Sequence, residues 1–224
     1  MNLEGVLKKF QDQHHIFTSA HKYLEQATQL LSGGTEADLA LYSDFSQKVV
    51  PTYRDPQHFF LAQIFITFIA AFELFLQEAA VQVITKYPNK VGKVDFSLAF
   101  ILEVNDSSEL VRRAIEKVLN NLAYERPASY LESYCQLLSL NPGDYRDYWP
   151  QFVEAKARRD LGVHNGWICN EVFLRKLQEV NRPTTLTVGD SAIPERGYMG
   201  GVALILWRLA GRFKTKLEAK YPKE

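Results

Sequence analysis

Between residues 156 and 166 the chain reads KARRDLGVHNG, and Arg158, Arg159, Asp160, His164 and Asn165 within it are residue types suited to chemistry. A guanidinium is planar and permanently charged, and it grips a phosphate through two donors at once. An imidazole moves a proton near neutral pH. Together they suffice for RNA cleavage without a metal: the substrate's own 2′-hydroxyl attacks the adjacent phosphate, so the protein supplies only a proton relay and a cation for the developing charge. Arg159 and His164 are five positions apart, about 140° around a helix that turns about 100° per residue. One copy of the stretch therefore does not gather them on one tight face. Asp160 and His164 are four apart and should be surface neighbours, with the carboxylate orienting the ring or supporting its charge. Lys156, Arg158, Arg175 and Lys176 are expected to form the local basic patch that would hold an RNA backbone.

The same residues have a plainer reading. ARRD can be the exposed end of a helix, and HNG a C-terminal cap in which His164 favours the helix dipole and Gly166 turns left-handed. Other stretches carry less. His14, His15 and His21 share part of a helix, but no carboxylate set accompanies them, so no metal site is expected. GYMGG at 197–201 lacks the pattern of a phosphate-binding loop and reads as close helix packing. Cys135 and Cys169 are far apart and have no metal-ligand spacing, which suits a reducing, cytoplasmic setting. No cofactor is implied.

Lysine plus arginine equal aspartate plus glutamate at 26 each, so a broad positive field for non-specific nucleic-acid binding is excluded and any basic site must be local. The first residues turn charged too early for the apolar region of a signal peptide. FFLAQIFITFIAAFELFL, residues 59–76, approaches the length of a membrane span, yet Gln63, Thr67 and Glu73 interrupt it. It is expected to be a buried core or dimer-interface helix of a soluble protein.

Apolar residues Val6, Phe10, Phe17, Leu24, Ala27 and Leu31 recur at helical steps and predict a first amphipathic helix that SGG at 32–34 ends. A second helix is expected from Glu36 to about Lys48, then a proline-bearing joint, then the apolar helix from about Pro56 to Tyr87. Residues 95–104 are ambiguous. Ser107 or Ser108 should cap a helix ending near residues 125–127, and another covers Ala128–Leu140. Asp144 should cap the helix carrying Phe152, Ala155 and the motif. WICNEVFLRKLQEV continues as helix, residues 181–197 form a loop with TTLTV as a short strand, and a last amphipathic helix follows. The expectation is an all-α antiparallel bundle, with residues 1–55 a helical extension on a main domain of 56–224.

RRDLGVHNGWICNEVFL, together with AFELFLQEAA at 71–80 and the loop before the last helix, resembles the HEPN family (higher eukaryotes and prokaryotes nucleotide-binding) over roughly residues 57–220. The family's motif is an arginine, four to six residues, then a histidine, with a polar residue after the arginine and an Asn-Gly-like turn. Arg159, Asp160, His164, Asn165 and Gly166 stand in those places. Asp160 occupies a position that is often asparagine. The resemblance implies a HEPN-like bundle that forms a homodimer whose two motifs face one cleft. It implies a metal-independent ribonuclease, of the kind found in toxin-antitoxin and phage-defence systems, with an antitoxin protein as a further partner. It assigns Arg159 to the phosphate and His164 to proton transfer, with Asp160 and Asn165 supporting and Arg158 an adjacent alternative. Some members of the family only bind RNA, nucleotide or protein, so a catalytically silent module is the other implied outcome.

Overall fold

The apolar run at residues 59–76 lies within the central helix of the protein. In the computed structural model, which describes residues 2–222 apart from Gly34, Val50, Arg54 and Asn105, that helix is Pro56–Lys86. Asp55 starts it by accepting from the His58 backbone N–H at 2.6 Å, with Pro56 in its first turn, where a missing N–H costs nothing. Phenylalanines 65, 68, 72 and 75 and Ile69, Leu76 and Ala79 are buried along it. By length and composition the helix would reach across a bilayer, but here neighbouring helices cover its buried side.

The protein is all-α, about three-quarters helical, with no strand among the described residues. We number the helices in chain order: α1 Leu3–Ser32, α2 Glu36–Val49, α3 Pro56–Lys86, α4 Leu98–Glu103, α5 Ser107–Ala123, α6 Pro127–Leu138, α7 Trp149–His164, α8 Glu171–Glu179 and α9 Arg196–Lys220. α1 runs along α3. Phe10 sits among Phe68, Phe72 and Phe75 at 5.5–5.6 Å between ring centroids, and Phe17 stacks on Phe68 at 4.4 Å. Burial of Leu3, Val6, Phe10, Phe17 and Ala20 places α1 in the same core as α3 and α9. From α9, Phe213 stacks on Tyr145 at 3.9 Å, and the Tyr221 hydroxyl donates to the Leu138 carbonyl at 2.7 Å.

Several boundaries differ from those expected, each for a local reason. Ala27 is exposed, because the buried stripe of α1 gives way after Ala20 and half-buried Leu24; the Leu31 side chain and Gly34 lie outside the described residues. Asp106, not Ser107 or Ser108, caps α5 by accepting from the Ser108 N–H at 3.0 Å. Asp144 caps nothing: it lies in a short 3-10 turn and pairs with Lys216 at 2.8 Å, and α7 begins at Trp149 after Tyr148. The ambiguous segment holds the six-residue α4, capped by Ser97. TTLTV is not a strand, and extended pairing in that region is confined to one antiparallel bridge, Ile168 with Ser191.

Candidate functional site

The motif lies on the last turns of α7, and two apolar clusters fix how that helix is rotated. Phe152, Val153 and Ala155 bury into the main core. Ala157 and Leu161 instead join Cys169, Phe173, Leu177 and Ala192 in a smaller cluster beneath α8. With both faces committed, the remaining polar positions form edges. Lys156 and Arg159 turn toward α3, Asp160 toward α8, and Glu154 and Arg158 toward the loop before α9.

The helix ends as the Asn-Gly pair suggests. Asn165 is its C-cap, Gly166 takes φ +56°, and the Asn165 side-chain amide donates to the Ile168 carbonyl at 2.6 Å. Trp167, also left-handed at φ +65°, donates its backbone N–H to the Leu161 carbonyl at 3.0 Å and folds its indole back against α7. Gly162 makes room for it, since a Cβ there would stand 2.5 Å from the indole ring. The indole is 1% exposed and donates Nε1–H to the Tyr53 hydroxyl at 2.9 Å. Downstream, Ala192 N–H to the Trp167 carbonyl (2.7 Å) and Cys169 N–H to the Asp190 carbonyl (2.8 Å) hold the turn. This left-handed pair is why the expected WICNEVFLRKLQEV helix starts only at Glu171, behind the Asn170 cap.

His164 ends exposed and, among the described residues, has no hydrogen-bond or ion-pair partner. The expected contact with Asp160 does not form. Asp160 pairs with Lys176 at 2.9 Å and lies 3.4 Å from the Arg159 guanidinium, because α8 brings a stronger cation to that carboxylate. Arg159 is anchored on its other side by Glu73, which also takes Lys156. Its Nε is buried and unpaired. Arg158, expected in the basic patch, is committed inward: it pairs with buried Glu154 at 3.0 Å, donates to the Ala192 carbonyl at 3.1 Å and lies over the Tyr198 ring at 4.4 Å. Arg175 is exposed.

A groove of about 360 Å³ opens beside the helix end, with Asp160, His164, Asn165, Asn170 and Lys176 on its walls. Arg159 is not among its lining residues, although Asp160, which is, lies 3.4 Å from the Arg159 guanidinium. Within the network around α7, three carboxylates (Glu73, Glu154, Asp160) face five cations (Lys156, Arg158, Arg159, Lys176, Arg182). Glu171, Glu179 and Asp190, on α8 and the loop after it, stand outside this network and bring the acidic and basic residues of this side close to balance. The cysteines offer no nucleophile: both are buried, and burial pushes the Cys135 thiol up to about 12. Among the described residues no group of histidine, cysteine and carboxylate side chains could hold a metal ion.

Glu73, Glu154, Arg182 and Trp167 were not singled out from the sequence as site residues. Glu73 carried a signal: a carboxylate inside an apolar run must find a cation when the helix buries. The signal lay in its surroundings, while the partners, 83 and 86 positions away, were not legible. No family model, curated protein or solved structure matches the chain.

Proposed function

We propose that the chain is a metal-independent endoribonuclease of the HEPN kind, working as a homodimer in which two copies of the α7 end face one RNA strand. The observation that carries this reading is the exposed, unpartnered imidazole of His164 at the end of a cation-rich helix edge. An imidazole that shuttles a proton must be free to meet substrate, as the exposed ring of His164 is. Its role is to take or give the proton of the 2′-hydroxyl and the leaving oxygen. Arg159 stabilises the phosphate, held in place by Glu73 and Asp160. Lys176, Lys156 and exposed Arg175 attract the backbone. Asn165 supports by fixing the turn. A second copy supplies the Arg159 that the first copy's groove lacks. In this reading α3 is a soluble core helix, the setting is cytoplasmic and the role is that of a toxin or defence effector held by an antitoxin protein.

One observation favours the silent alternative, a module that binds RNA, nucleotide or a partner protein. Arg159 already has two carboxylate partners, and each must be displaced or shared before a phosphate is gripped. Incubation of purified protein with total RNA in excess chelator separates the two. The proposal expects cleavage products ending in 2′,3′-cyclic phosphate; intact RNA from correctly folded dimer, with its antitoxin absent, would overturn it.

A further inference from the structure

Beside Glu73 and Lys156, α3, α5, α6 and α7 enclose a second cavity of about 150 Å³. Its walls are apolar, with Leu119, Trp149 and Phe152 among them. Tyr130 stacks near-parallel on Trp149 at 5.5 Å and gives the cavity an aromatic side. Set into those walls are Glu73 and Lys156 at one edge, the amides of Gln77 and Asn120, and the Tyr130 hydroxyl. Among the described residues that hydroxyl has no hydrogen-bond partner. Burial and the neighbouring carboxylates Glu73 and Glu125 push its ionisation well above the ordinary range, so it stays a donor.

Size and polarity together limit the occupant. The volume lies below the roughly 300 Å³ at the small end of sites for drug-sized ligands, so it suits one planar ring system and not a whole nucleotide. A purely apolar side chain would fill it but would strip water from amide, hydroxyl and carboxylate groups without replacing their hydrogen bonds. A flat heteroaromatic ring with donors and acceptors on its edge satisfies both the aromatic wall and the polar inventory. Unpaired RNA bases are read in this way, splayed out against aromatic side chains and hydrogen-bonded on their edges. Lys156 stands at the junction, lining the cavity while sharing Glu73 with Arg159, so a strand whose base entered here would pass its phosphate along the motif helix.

We infer that this cavity is a nucleobase pocket that receives one unpaired base of an RNA strand lying along α7. The inference rests on the ribonuclease reading for its substrate but not for its test. Adenosine, guanosine, cytidine and uridine, with toluene as an apolar probe, are titrated by saturation-transfer NMR into wild-type protein and into His164→Ala, Asn120→Trp and Tyr130→Phe. Asn120 is exposed at the rim, so its tryptophan variant plugs the pocket without entering the core, and Tyr130→Phe removes only the hydroxyl. At least one nucleoside should bind wild type and His164→Ala with equal affinity, bind Asn120→Trp at least tenfold more weakly, and lose several-fold in Tyr130→Phe. Equal nucleoside binding to wild type and Asn120→Trp overturns the inference, as does no nucleoside binding to wild type. Toluene binding that Asn120→Trp abolishes and no nucleoside displaces also overturns it and marks a seat for an apolar side chain of a protein partner. Nucleoside binding that passes all these tests in a protein that cuts no RNA upholds the pocket while ending the ribonuclease reading.

Discussion

Gly162→Ala tests the packing that fixes the motif turn. The new Cβ would lie 2.5–2.7 Å from three atoms of the Trp167 ring, inside any tolerable contact. The ring has little room to retreat: it is 1% exposed, bonded to Tyr53 through Nε1, and its backbone is tied to Leu161 and Ala192. Overpacking of this kind costs about 1–3 kcal/mol, and a lost indole hydrogen bond adds about 1 kcal/mol. Against this stands a gain of about 1 kcal/mol in helix propensity for alanine over glycine. The net is a loss of about 2 kcal/mol, or a fall of about 4–8 °C in Tm for a chain of this size. Gly200 is the internal control, because it lies within α9 and a Cβ there meets nothing within 4 Å. Gly200→Ala should therefore gain about 0.5–1 kcal/mol. Urea unfolding followed by circular dichroism, with m unchanged, reads both variants. If Gly162→Ala gains stability as Gly200→Ala does, the indole does not rest on α7 and the account of the turn fails.

Other perturbations follow from the same contacts. Glu154→Gln leaves Arg158 and Arg182 facing a neutral amide around a site that is 5% exposed, and should cost about 3 kcal/mol in urea unfolding; a loss below about 0.5 kcal/mol would show that the network does not lock the loop before α9. Burial beside Trp207 and Phe68 lowers the His14 pKa, so the unfolded chain binds more protons between the depressed value and about 6.5. Stability from this group is thus full above the unfolded value and is lost as pH falls through the folded one. The urea midpoint should drop between pH 7.5 and pH 5.5 by more in wild type than in His14→Gln, and equal drops would contradict the assignment. With its thiol pushed up to about 12 and no exposed surface, Cys135 should resist iodoacetamide at pH 7.5 in folded protein and react after denaturation, as mass spectrometry of the labelled peptide would show.

Long, strongly periodic segments were legible in the sequence, and short or capped ones less so. α1, α3 and α9 each repeat their apolar spacing over many turns, so chance breaks in the pattern do not hide them. α4 has six residues, too few to separate a helical from an extended period. Caps were less legible: Asp106 and Ser107 both suit the role at α5 and only backbone geometry selects the aspartate, while Asp144 falls in a 3-10 turn ahead of α7, whose N-cap is Tyr148. The site divides the same way. The end of α7 at Asn165–Gly166 is a local property of Asn and Gly chemistry and was readable. The partners of Arg158, Arg159 and Asp160 were not, because they depend on how α7 is rotated between two apolar clusters. Asp160 and His164 do stand four apart on a helix, but α8 offers Asp160 a lysine at 2.9 Å, and that tertiary contact overrides the local one.

The central claim is that His164 moves the proton when RNA is cut. Single-turnover cleavage of an RNA oligonucleotide in chelator, compared between wild type and His164→Ala and between the all-ribose strand and one with a 2′-deoxy residue at the cut position, tests it most directly. The account predicts a loss of about 10²–10⁴-fold in His164→Ala, the range typical of a removed general acid or base, and no cut at the 2′-deoxy position. Cleavage by His164→Ala at the wild-type rate, or cleavage of the 2′-deoxy strand at that position, would contradict it.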